Sequence, residues 1–263
     1  MNILIHTHIS PFQSKLHFGG AESSLKLIAS LLVSKGHKVV FVSNFSFTSF
    51  KGYRKKNRNG IICYEFGRML VPFRRNYSIK SRVKAYHNKI KEKILIDEAI
   101  EIVHTYYNPL LCEFYLNRRK NVPFKLVVRV AGLKWYEDIK ANPKSIAIYQ
   151  KIFNESDLLN FISKGLLDQF NTINEEAQYH FSPKKYFVGD IGVDLNAKEI
   201  SLQAKTIQKN FTLAMVSRFS KYQKRQDILI QAFASIKELP IQLILIGNGE
   251  NQATIQKLSL IHI

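Results

Sequence analysis

Apolar and polar positions divide the chain into short apolar runs separated by amphipathic stretches. Asn2–His6, Lys38–Ser43, Gly60–Phe66, Glu101–Thr105, Phe124–Val130, Asp157–Phe161 and Tyr186–Val188 read as strands. Their near-continuous Val, Ile, Leu and Phe content suits a parallel sheet buried on both faces. Between the first two runs, Leu25, Ile28, Ala29 and Leu32 recur at helical spacing, and Gly36 ends the helix. This is a βαβ unit. Ile79, Val83, Tyr86, Ile90 and Ile94 mark a second helix from Tyr77 to about Glu98, with Lys80, Arg82, Lys84, Lys89, Lys91 and Lys93 on its other faces. A short helix follows Pro109, and another covers Ser145–Phe153. The polar, basic stretch Phe45–Asn59 reads as an irregular excursion, and Ala131–Trp135 as a loop at a strand's carboxyl end.

The same pattern restarts near the end of the chain. Phe211–Val216 is an apolar run, and Ser217–Gln226 carries Arg218, Lys221, Lys224 and Arg225. From Asp227 the residues Ile228, Leu229, Ala232, Phe233 and Ile236 take helical spacing. Ile241–Ile246 is a second run, and Gly247-Asn248-Gly249 turns the chain. A basic loop between a strand and a helix N-terminus suits a phosphate, because unpaired backbone N–H groups and cations converge there.

Composition adds two points. Cys63 and Cys112 match no metal or redox spacing and read as buried thiols of a reducing compartment. No apolar run approaches the ~20 residues that span a bilayer, and no basic segment precedes a signal-like stretch. The expectation is a soluble, cytoplasmic chain. Charge changes the picture more. The chain has 39 Lys and Arg against 20 Asp and Glu, a net charge of +19, and the window Lys51–Lys93 holds 14 basic residues and two acidic ones. Such a surface seeks anionic partners. One reading is a solvated cationic helix face. The other is a patch formed by Arg74, Arg75, Lys80, Arg82 and Lys84 that docks on the inner face of the plasma membrane. A specific nucleic-acid partner is not expected, since the basic run lacks interleaved aromatic platforms.

Three stretches resemble family 4 glycosyltransferases, retaining enzymes of the two-domain GT-B architecture. They are Val216–Phe233 (VSRFSKYQKRQDILIQAF), Gly19-Gly20-Ala21-Glu22 after the first strand, and Gly192-Val193-Asp194, the last preceded by Ile191 where the family often has Asn. The resemblance implies an α/β fold of GT-B type, with one complete Rossmann-like doubly wound domain plus the β-α-β start of a second. Residues 1–190 would form the acceptor-side domain, 191–210 a linker, and 211–263 an incomplete donor-binding domain. Arg218 and Lys224 would grip the diphosphate of a nucleotide-sugar donor, with the backbone of Gly19 and Gly20 on its other side. Glu22, His104, Arg129, Gly132, Lys134 and Ser163 are candidates for the acceptor or sugar cleft. His104 also reads as a hydrogen-bonded strand-end histidine, and Ser163 as a helix N-cap. Ala131 stands where many members have a cleft histidine, so that role is not carried over, and Trp135 joins Arg129 and Lys134 as a local substitute.

The resemblance implies no cofactor and no metal, consistent with the lack of an Asp-x-Asp motif; the partners would be a nucleotide sugar and a glycan or lipid-linked acceptor. The family's Glu-x7-Glu signature does not occur, so no catalytic residue is assigned. The expectation is therefore a truncated member with little activity, serving surface polysaccharide or lipopolysaccharide synthesis. The alternatives are a non-catalytic remnant that only binds acceptor or membrane, and, less favoured, a basic nucleic-acid-binding protein.

Overall fold

The computed structural model describes residues 1–12, 20–70, 77–189, 211–220, 224–236 and 238–261. The chain forms two compact units, Met1–Leu195 and Asn196–Ile263.

The first unit is built on one sheet. Its strands are β1 (Asn2–Ile9), β2 (Lys38–Ser49), β3 (Tyr53–Arg58), β4 (Ile61–Met69), β5 (Ile102–Tyr106), β6 (Lys125–Val130), β7 (Leu158–Phe161) and β8 (Tyr186–Val188). They lie in the order β3-β4-β2-β1-β5-β6-β7-β8, and every neighbouring pair is parallel except β3 with β4. From β1 the chain first builds outward through β2 and β4, then returns to add β5 on the opposite side. That reversal makes a switch point between β1 and β5, and ligands of doubly wound sheets bind outside the carboxyl ends of such strands.

Alternation of side chains along β1 sends Ile3 and Ile5 to one face and Leu4 and His6 to the other. On the first face, helix α1 (Gly20–Ser34) covers β1, β2 and β4 with Leu25 and Ala29, against Ile3, Ile5, Val39 and Phe41. The second face carries α2 (Tyr77–Asp97), α3 (Pro109–Arg118), α4 (Lys134–Ala141), α5 (Ile146–Glu155) and α6 (Lys164–Glu176), around a larger core. Trp135 belongs to that core. It is fully buried at the start of α4, with its ring 5.4–5.6 Å from those of Phe153, Phe170 and Phe181. A role in a cleft loop is thereby replaced by one in packing, where each such side chain contributes about 1.5–3 kcal/mol. Cys63 and Cys112 are buried free thiols, as the sequence led one to expect.

Phe45–Asn59 is not irregular. β2 continues to Ser49 through a register shift, and Tyr53–Arg58 pairs antiparallel with β4 as an edge strand. Asn59 and Gly60, at φ 52° and 83°, make the two-residue turn of this hairpin. Polarity hid the strand because its charges are answered from inside. The fully buried carboxylate of Glu65 accepts from Arg54 Nε at 2.6 Å and Arg58 Nη2 at 2.6 Å. On the other face Lys55 Nζ and Lys38 Nζ reach the buried Glu98 at 2.7 and 3.0 Å, and the Tyr64 hydroxyl donates to it as well. Four of the basic charges are therefore spent inside the unit. A fifth, Lys91 on α2, is also not on the outer face: it is turned inward, 5.3 Å from the Phe66 ring centre.

The second unit pairs β9 (Phe211–Val216) in parallel with β10 (Ile241–Ile246), joined by α7 (Gln226–Ala234), and continues into α8 (Gln252–Ile261). Ile230 and Ile255 are buried on the helix side, while Phe211, Val216 and Ile246 stay exposed. Among the described residues no helix is long and apolar enough to cross a membrane.

Candidate functional site

In the second unit the basic loop after β9 is fixed by its neighbour turn. Ser217 N donates to Ile246 O at 2.9 Å, Phe219 N to Asn248 O at 2.8 Å, and Asn251 N to Phe219 O at 3.2 Å. Only glycines permit this approach. A Cβ on Gly247 would lie 1.9 Å from Ser217 O, and one on Gly249 would lie 2.4 Å from Phe219 O. From the other side Gln226, 1% exposed, donates Nε2 to Ser217 Oγ and to Arg218 O, both at 2.8 Å. The loop is thus tied to the strand end, the turn and the first residue of α7.

What it presents to solvent is cationic. Arg218 is exposed and pairs with Glu250 at 3.0 Å. Lys224 is exposed, with its backbone N–H donating to Ser220 Oγ at 3.3 Å. Arg225 occupies the left-handed region (φ 49°) and folds back on Asp227, with both guanidinium contacts at 3.1 Å. Arg225 gives α7 no side-chain cap, and Ile228 N and Leu229 N donate to Arg225 O at 3.1 and 3.3 Å. Neither Gln226 nor Glu250 was singled out by sequence. The first signals itself only as a polar residue at a helix start, the second as the residue closing the Gly-Asn-Gly turn.

In the first unit, Gly20 is the first residue of α1, and a Cβ there would meet nothing within 4 Å, so its outer side is open. Glu22 lies in the first turn of that helix and is half-buried. Gly19, Arg74, Arg75 and Lys221 lie outside the described residues, and of Lys80 only the helical backbone is described. Arg82 and Lys84 are exposed on α2.

His104, Arg129 and Asn160 share one face of β5, β6 and β7, because Tyr106 is in register with Arg129 and Arg129 with Asn160. Arg129 is 4% exposed, donates Nη1 to Asn160 Oδ1 at 3.2 Å, and its Nε has no partner among the described residues. Burial pulls its pKa down. Burial and then the Arg129 charge bring His104 down to about 4, so its imidazole is neutral at physiological pH, and its Nε2 also lacks a partner among the described residues. Unpartnered buried polar atoms are uncommon in a native fold. Gly132 follows β6 near the Tyr107 hydroxyl, 3.9 Å from a Cβ placed on it. Lys134 is held on its own helix by Asp138 at 2.8 Å and Glu137 at 3.5 Å. Ser163 is the N-cap of α6, its Oγ accepting from Leu166 N at 3.2 Å.

A parallel sheet with a central switch point, followed by a βαβ unit that opens on a basic loop, is a Rossmann-like α/β fold with the start of a second domain. Comparison with known proteins supports this. Residues 197–262 match the family model described as glycosyl transferases group 1. Among solved structures, the chain is similar to the trehalose-6-phosphate protein of E. coli bound with UDP-2-fluoro glucose (TM-score 0.63, 14% identity, 100% of this chain and 69% of that one). It is similar also to sucrose-phosphate synthase of Thermosynechococcus elongatus (0.65, 14%, 99% and 66%). A third is the lipopolysaccharide outer core galactosyltransferase WaaB (0.61, 16%, 99% and 65%). The chain spans about two thirds of the length of these structures. No protein with a curated description matches it in sequence.

Proposed function

We propose that this chain serves glycosyl transfer from a nucleotide-diphosphate sugar, with its second unit holding the donor's diphosphate. One observation carries the reading: Arg218 and Lys224 are exposed on the connection from β9 to α7, whose start at Ser217 and Phe219 is hydrogen-bonded to Ile246 and the Gly-Asn-Gly turn. The diphosphate is the leaving group of the reaction. Cations and backbone N–H groups fixed before the reaction stabilise the charge that develops on it without reorganising. The resemblance gives Gly19 and Gly20 the role of further backbone donors. Arg129, with donors to spare and no carboxylate pair among the described residues, suits a polar group of the sugar or acceptor, with Glu22, His104, Gly132 and Lys134 as the other candidates.

In this reading the donor needs no metal, since protein charges do the work. Transfer proceeds with retention to a glycan or lipid-linked acceptor of surface polysaccharide or lipopolysaccharide synthesis, as the motif resemblance implies. The exposed Arg82 of α2, with Arg74, Arg75, Lys80 and Lys84 of the expected patch, suits the anionic inner surface of the membrane where such an acceptor resides. The test is calorimetric titration of UDP, GDP and ADP, each beside its monophosphate. The expected result is saturable binding of at least one diphosphate, with its monophosphate at least about tenfold weaker. Equal affinity for the two would remove the diphosphate from the account.

A further inference from the structure

The carboxyl ends of β1 and β5, where the chain order reverses, open into a cavity of about 530 Å3. His8 from β1 and Asn108, which caps α3 after β5, line it at the strand ends. Its walls are α2 and α3. The α2 wall presents Lys84 and Lys91, seven residues apart and so on one helical stripe. The cavity is lined by residues of the first unit.

Its charges are out of balance. Among the described residues neither Lys84 nor Lys91 has an ion-pair partner. Arg118, also on the wall, is already paired with Glu92 at 2.9 Å, and among the described lining residues Glu113 is the one carboxylate. Lys91 is the telling member. It is drawn inward over the Phe66 ring instead of extending into water, and burial, helped by the Lys84 charge, brings its pKa down to about 8. An unpaired, partly desolvated ammonium is unfavourable in a folded chain. Leucine or methionine would pack there better, and a lysine in that place suits an anion that enters the cavity.

We infer that this cavity is a binding site for a phosphate-bearing ligand, held between Lys84 and Lys91 at the switch point of the first unit. As an anion site it stands on this geometry. As the place of a phosphorylated acceptor, whether a sugar phosphate or a lipid phosphate, it rests on the glycosyl-transfer reading above. Both sources share the same headgroup chemistry, a phosphate that two lysines can bracket.

The experiment titrates the full chain with glucose 6-phosphate, farnesyl phosphate and unphosphorylated glucose, following binding by calorimetry. The variants are Lys91→Met, Lys84→Gln and Arg218→Ala. At least one phosphate ligand should bind, glucose should not, and the affinity should fall about tenfold in Lys91→Met and severalfold in Lys84→Gln. The lysine variants should leave nucleoside diphosphate affinity unchanged and Arg218→Ala should lower it, so this site and the diphosphate loop succeed or fail separately. Which phosphate binds tighter assigns the sugar or the lipid source. A thermal melt checks that Lys91→Met is folded, and the exposed Lys84 gives a second variant that does not disturb packing. Absence of phosphate binding at millimolar concentration, equal binding of glucose, or indifference to both lysine variants would overturn the inference.

Discussion

Gly247 and Ser217 stand closer than any other residue type at position 247 would allow. A Cβ on Gly247 would lie 1.9 Å from the Ser217 carbonyl oxygen, and the backbone φ of 154° disfavours an L side chain in any case. The basic loop can hold its shape only because the turn after β10 has no side chain there. Gly247→Ala should therefore push the two segments apart, break the Ser217–Ile246 hydrogen bond and weaken nucleoside diphosphate binding about tenfold or more. Amide exchange at Ser217 and Phe219 should accelerate in the variant, while the sheet of the first unit keeps its protection. Unchanged exchange at those two amides would show that the turn does not support the loop.

Acid should loosen the first unit through Glu98. Burial by itself would raise this carboxyl, but hydrogen bonds from Lys55, Tyr64 and Lys38 prevail and hold it at about 2. A carboxyl depressed in the folded state adds stability that is complete above its unfolded pKa of about 4.5 and is lost as pH falls toward 2. The half-exposed lysines moderate the effect, leaving about 1–3 kcal/mol. Urea unfolding of Glu98→Gln at pH 7 should show that loss, and the gap from the parent chain should close between pH 4.5 and 2. A gap independent of pH would assign the effect to packing alone.

Lys91 should behave in the opposite sense. Its lowered pKa, about 8, means the charged form is disfavoured in the fold. That penalty is complete below pH 8 and disappears as pH rises toward the unfolded value near 10.5. Lys91→Met should stabilise the first unit by about 1–3 kcal/mol at pH 7, a gain that shrinks above pH 8 and is measured by the denaturant midpoint at several pH values. A destabilised variant would mean that the ammonium supports the fold.

Most of the sheet was legible because its strands are buried on both faces and read as apolar runs. β8, β9 and β10 fall at the residues the pattern indicates, β1 and β2 run on to Ile9 and Ser49, and β4 and β5 each begin one residue later and end later than theirs. The edge strand β3 was not legible from hydrophobicity, since Arg54, Lys55 and Arg58 find buried carboxylates that lie far off or on another strand. Its one local signal was Asn59-Gly60, a hairpin dipeptide. Trp135 followed the reverse course. It sits next to Gly132 at a strand end, which invites a cleft role, yet α4 starts one residue before it and rotates it into the core.

The basic loop was legible as charge between a strand and a helix. What holds it, the contacts of Gln226 and the Gly-Asn-Gly turn, is tertiary and left little trace in local pattern. The cavity beneath α2 was hidden for a related reason. Lys91 looks like one more solvated cation until the helix is placed on the sheet and the residue is found facing Phe66.

The central claim is that the loop after β9 grips a diphosphate, and Arg218 tests it most directly. Calorimetric titration of UDP, GDP and ADP into the parent chain and into Arg218→Ala measures the grip. Arg218 is exposed and makes a single ion pair with Glu250, so the substitution should leave the melting temperature within a degree or two. The account predicts that the diphosphate with the highest affinity for the parent chain binds the variant at least tenfold more weakly. Undiminished affinity in a folded Arg218→Ala chain would contradict it.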